Sequence, residues 1–187
     1  MSPLTELIGS AKAYGWGSFA DESDYESIAT VSLSSNQSSA DFSSIPGTYR
    51  HLQIRQYALT TTNSPNTLIR FNSDTNNNYA NQQLYGTGGG SPQASGNQDI
   101  SYIFGPAFGA SSTSPSVGVI DILDYANTNK NKTVRVLTGV DVNGSGGLIL
   151  HRYGLWMNTA AITSIQLPIS SGNYSAYSHF ALYGIKV

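Results

Sequence analysis

The sequence predicts an all-β fold: a jelly-roll-like antiparallel β-sandwich over residues 25–187, preceded by a short N-terminal peptide of one or two helical turns over residues 1–24. Three observations predict it. Apolar and polar residues alternate with period two along most of the chain after Tyr25. Clusters of Gly, Pro, Asn and Ser break that alternation roughly every 8–12 residues, the spacing of a sandwich or barrel. Past the N-terminus no apolar pattern of helical period recurs.

Residues 2–17 differ from the rest. Leu4, Leu7 and Ile8 have helical spacing, with Ser2 placed to cap and Pro3 at the first helical position. Gly9, Gly15 and Gly17 then interrupt the run. One reading is a short helix folded back on its own domain or a frayed end. The other is an anchor peptide that docks on another subunit through Leu4, Leu7, Ile8, Tyr14 and Trp16. An acidic hinge, Asp21 to Asp24, follows.

Strands are expected at 25–33, 40–45, 49–60, 67–71, 79–85, 100–104, 117–125, 133–142, 148–157, 162–169 and 178–186, about ten or eleven in all. In 49–60, Leu52, Ile54 and Ala58 share the inward parity, while His51, Gln53, Arg55 and Tyr57 point out. The clearest alternation lies in 133–142. Val134, Val136, Val140 and Val142 take one face; Thr133, Arg135, Gly139 and Asp141 take the other, with Leu137 as an apolar exception. Pro46-Gly47 and Asn143-Gly144 mark turns. Residues 86–97, dense in Gly, Ser and Gln, predict a long exposed loop.

A length of 187 residues fits one domain with a core of its own. Charged residues make up 11% of the chain, against roughly 25% in average proteins, so its surface does not rest on salt bridges. A net charge of −2 without a basic stripe argues against nucleic-acid partners. The absence of cysteine excludes disulfides, thiolate metal sites and thiol catalysis. No run reaches the ~18 apolar residues of a membrane helix, so no membrane insertion is expected. Residues 1–20 have neither the basic nor the apolar region of a secretory signal. A robust surface without an export signal fits a protein made in a host cytoplasm and released inside a virus particle.

Residues of catalytic type do not assemble into a known pattern, and the chain is read as a non-enzyme without cofactor or metal. His51, His151 and His179 lack paired spacing. Residues 74–78 imitate the opening of a calcium loop, but Tyr79 stands where Gly is needed and Tyr85 where the closing Glu belongs, so a polar turn is the better reading. Asp121 and Asp124, three apart on a strand, face opposite ways, which defeats a glycosidase carboxylate pair. Gly86-Thr-Gly-Gly-Gly90 lacks the Lys of a phosphate loop. Twelve tyrosines remain. Tyr79, Tyr85, Tyr102 and Phe108, flanking the long loops, are the candidates for an exposed sugar-stacking surface.

Several segments form an ordered set: Phe71-Asn-Ser-Asp-Thr-Asn-Asn-Asn-Tyr79, Leu84-Tyr-Gly86, Ile120-Asp-Ile-Leu-Asp-Tyr-Ala-Asn127, Lys132-Thr-Val-Arg135, Trp156-Met-Asn-Thr-Ala-Ala-Ile-Thr-Ser-Ile165, Ser170-Ser-Gly-Asn173 and Phe180-Ala-Leu-Tyr-Gly-Ile-Lys186. In that order they resemble a group of small virion structural proteins of tailed bacteriophages. The resemblance covers most of residues 25–186. It implies a particle protein: a tail-fibre or baseplate adhesin docked through residues 1–20 and binding host-surface glycan, or else a capsid decoration protein. A polysaccharide depolymerase is the poorest fit, given 11 acidic residues, mostly scattered. Fibres of this kind are commonly trimeric, and a homotrimer would cover the excess apolar positions at Leu137, Ile149 and Tyr183.

Overall fold

A computed structural model of the chain describes residues 24–109, 113–142 and 147–186. The docking residues expected in the N-terminal peptide, Leu4, Leu7, Ile8, Tyr14 and Trp16, lie outside the described residues. Among the described residues twelve strands follow one another: β1 (Tyr25–Ser32), β2 (Ser39–Phe42), β3 (His51–Ala58), β4 (Asn66–Phe71), β5 (Tyr79–Gly86), β6 (Gln93–Ile100), β7 (Ile103–Ala107), β8 (Ser116–Leu123), β9 (Lys132–Asp141), β10 (Gly147–Trp156), β11 (Ile165–Pro168) and β12 (His179–Ile185). Among the described residues there is no helix.

The strands form two antiparallel sheets, and the molecule is a β-sandwich. The larger sheet has eight strands in the order β1-β12-β3-β8-β9-β10-β5-β6; the smaller has four, β2-β11-β4-β7. The alternation read in the sequence sets the larger sheet's inner face. Leu52, Ile54, Ile120, Ile122, Val134, Val136 and Trp156 are buried there. In register, Ile54 faces Ile120, which faces Val136 on the next strand, so one apolar row runs across three strands. The smaller sheet supplies Phe42, Ile69, Phe71, Ile103 and Leu167 to the same core.

Two aromatic groups fill the ends of the core. Trp156 lies 5.4 Å from Phe71 and 6.2 Å from Tyr79. Tyr174 meets Phe180 edge-on at 5.0 Å, and its hydroxyl donates to Thr67 Oγ1 at 2.9 Å. Burying that phenol pushes its proton affinity well up, the Thr67 bond notwithstanding. Where β10 meets β7 only glycine fits: a Cβ on Gly154 would stand 2.3 Å from Ile103 Cγ2.

Four local expectations are corrected. The loop expected at 86–97 gives way at Gln93 to β6, paired along β5 from Tyr85↔Gln93 to Tyr79↔Ile100. Its side chains are nearly all exposed, so it carries no apolar alternation and rests on backbone pairing at a sheet edge. The strand expected at 100–104 is shifted to β7, which keeps Pro106 because it borders the smaller sheet and needs no N–H on its outer side. The strand expected at 162–169 is shortened to β11. Asp124 has left β8 and sits in a left-handed turn at φ 49°, so its separation from Asp121 comes from the turn and not from strand parity.

Candidate functional site

Eight strands cannot be covered by four. The smaller sheet ends at β7, which packs across β8, β9, β10 and β5. The larger sheet extends past β7, and a cleft of about 730 Å³ is lined by residues of its inner face and by the segments flanking β4 and β7. Val140, Val142, Leu148 and Leu150 make its apolar wall; Ser64, Asn66, Gln83, Tyr85, Thr87 and Arg152 supply polar groups. The facing wall needs close backbone approach. A Cβ on Gly109 would stand 2.7 Å from Val140 Cγ1 and 2.8 Å from Val142 Cγ1. Ser64, held left-handed at φ 54°, donates its backbone N–H to Gly109 O at 2.8 Å and fixes that wall.

Arg152 dominates the cleft. It belongs to the inner parity of β10, with Leu150, Gly154 and Trp156, and is only 6% exposed. Its Nε donates to Gln83 Oε1 at 2.9 Å and its Nη2 to Asn66 Oδ1 at 2.9 Å. Its Nη1 donates to Gly105 O. The guanidinium also lies 5.0 Å over the Phe104 ring. None of these partners is an anion, and among the described residues no carboxylate forms an ion pair with Arg152. Burial pulls its pKa down to about 10, which leaves it charged at neutral pH.

The four predicted ligand residues are not brought together. Tyr79 is fully buried against Trp156. Its hydroxyl donates to Asp74 O at 3.1 Å, and burial raises its pKa to about 12. Tyr102 is half-buried and stacks edge-on against Phe104 at 5.1 Å. Phe108 is buried against Tyr174, with a side of the ring left to line the cleft. Tyr85 alone combines partial exposure with a place in the cleft, where its hydroxyl donates to Gln93 Oε1. Core aromatics and loop-flanking aromatics look alike in sequence, so nearness to a loop does not mark a ligand residue. Arg152 was missed, although a visible signal existed: an arginine on the same parity as Leu150 and Trp156.

Other candidates have settled roles. Asp74 is the hub of a polar turn. Oδ1 accepts from the Asn76 backbone at 2.9 Å and from Asn76 Nδ2 at 2.7 Å; Oδ2 accepts from Asn78 Nδ2 and Trp156 Nε1, both at 2.9 Å. Burial alone would raise this carboxyl, but the donors from Asn78, Asn76 and Trp156 outweigh it and hold the group at about 2. With both oxygens engaged by N–H groups, the loop is organised around Asp74 itself. Asp121 pairs with Arg135 at 2.7 Å, while Asp124 takes Arg50 at 3.1 Å and Lys130 at 3.3 Å. The histidines stand apart. His51 Nδ1 accepts from the Asp124 backbone at 3.0 Å, His151 lies 4.7 Å from Tyr153, and His179 Nδ1 is 2.9 Å from Ser32 Oγ.

No protein-family model matches the chain, and no curated protein does either.

Proposed function

We propose that this chain is a structural protein of a tailed-bacteriophage virion, a tail-fibre- or baseplate-associated adhesin that docks through residues 1–20 and holds host-surface glycan in the cleft beside Arg152. The cleft is the observation that carries the reading. A pyranose ring offers apolar C–H faces and a rim of hydroxyls. The wall of Val140, Val142 and Leu150 suits the first, and Asn66, Gln83, Tyr85 and Thr87 suit the second. Its volume of about 730 Å³ falls within the usual range of ligand sites. The resemblance of the ordered sequence motifs to those of phage particle proteins supports the setting. Binding at one cleft would be weak, and copy number would multiply it.

Copies would meet through the opposite face of the larger sheet. Leu84, Val117, Leu137 and Ile149 lie there on four adjacent strands and are 55%, 51%, 54% and 71% exposed. Tyr183 does not extend this patch, being half-buried beneath Arg55, whose guanidinium is 4.9 Å from its ring. A homotrimer joined by this face leaves the clefts free, because cleft residues take the other parity. The same patch favours a second reading, a capsid decoration protein that clamps shell subunits.

The test measures binding of the full chain to host-surface polysaccharides, beside a Thr87→Trp variant that fills the cleft from its exposed rim. Saturable binding by the wild type, lost in T87W, is the expected result. Equal binding by both, or by neither, defeats the adhesin reading. Deleting residues 1–20 should leave glycan binding intact and abolish incorporation into particles. A particle destabilised by the protein's absence, with host attachment unchanged, would place the chain with the decoration proteins.

A further inference from the structure

We infer that the glycan held in this cleft carries a carboxylate, as a uronic or sialic acid does, and that Arg152 is the group that reads it. This rests on the glycan reading above and adds the chemistry of the ligand. A guanidinium has five N–H donors and one full positive charge. Three donors are taken, one each by Gln83, Asn66 and Gly105. Each η nitrogen therefore keeps a further N–H, and a carboxylate has two oxygens to receive such a pair.

Charge is the stronger argument. If Arg152 served only to tie β10 to Gln83, Asn66 and Gly105, a neutral amide could do much of that work without carrying a cation out of water. Burying an ion without a counter-ion is among the costliest arrangements in a protein, and the Phe104 ring offsets only part of it. The uncompensated charge stands at the wall of an open cleft, where a ligand can complete it. A monoanion balances it, whereas a phosphate dianion would leave surplus negative charge against Val140, Val142 and Leu150. The apolar wall selects a ring-bearing acid over a bare inorganic anion. The guanidinium stays protonated at neutral pH despite its burial, as this role requires.

The wild-type full chain decides the matter without a variant. Methyl glycosides of glucuronic, galacturonic and N-acetylneuraminic acid are titrated against the protein beside their uncharged methyl esters, glucose and inorganic sulfate. At least one acid should bind about tenfold or more tightly than its own ester. Arg152→Met should erase that preference, so that acid and ester are no longer distinguished by the variant. Acid and ester binding alike would overturn the inference and leave the glycan reading standing. Sulfate binding as tightly as any acid sugar would reduce the site to one for an adventitious ion only, and the inference would fall. If no sugar bound, neutral or acidic, both readings would fall together.

Discussion

Two cations are buried on the inner face of the same sheet, and they are treated differently. Lys132, at the start of β9, is fully buried, and its three N–H groups go to three carbonyls: Asn127 and Lys130 at 2.7 Å and Thr159 at 3.0 Å. Burial lowers its proton affinity, partly countered by the charge of Asp124. Arg152 lies four residues from Trp156, the residue paired with Lys132, yet it has donors to spare and faces a cleft. The lysine sits where loop residues 127–130 and 159 fold over the sheet. The arginine sits beneath the smaller sheet's last strand, β7, on the wall of a cleft. The difference teaches that a buried charge is closed or open according to what covers it, not according to its strand.

The comparison can be tested by substitution. The largest effect is expected from Lys132→Ala, which orphans three carbonyls and leaves a cavity; it should cost about 2–5 kcal/mol in urea unfolding. Gly154→Ala, which drives a methyl into Ile103 between the two cations, should cost about 1–3 kcal/mol by the same measurement. Arg152→Met should cost about 1 kcal/mol or less, since it also removes an uncompensated buried charge. A loss as large as that of the lysine variant would mean that the arginine is a structural clasp. Acid sharpens the contrast with Asp74, a polar group fully engaged by its loop. Its folded pKa of about 2 lies below the unfolded value, so its contribution is complete above that unfolded value and is lost as pH falls through about 2. Asp74→Asn should flatten that part of the stability–pH curve. The smallest effect belongs to the outer face: Leu137→Ser should move monomer stability by less than about 0.5 kcal/mol, while lowering the assembled mass seen by light scattering.

Much of the frame was legible because burial imposes parity. Val134, Val136 and Val140 announced β9, and Leu52, Ile54 and Ala58 announced β3, each on the face where it is found. Edge strand β6 was not legible, since Gln93 to Ile100 satisfies its backbone against β5 without burying a side. Of the candidate ligand residues, Tyr85 reached the cleft partly exposed, Phe108 reached it from within the core, and Tyr79 and Tyr102 took packing roles. An aromatic near a loop serves core and surface equally well, so type and neighbourhood could not sort them.

By itself the sequence determined that the chain would form short antiparallel strands with one dry face, because alternation must bury its apolar half. It also determined that no cysteine thiol of this chain would take part. Only the tertiary structure decided the unequal division into eight and four strands. That division leaves a cleft beside β7 and sets Arg152 on its wall, with no carboxylate paired to it among the described residues. Strand pairing over long separations decides which faces are covered, and local pattern carries no record of it.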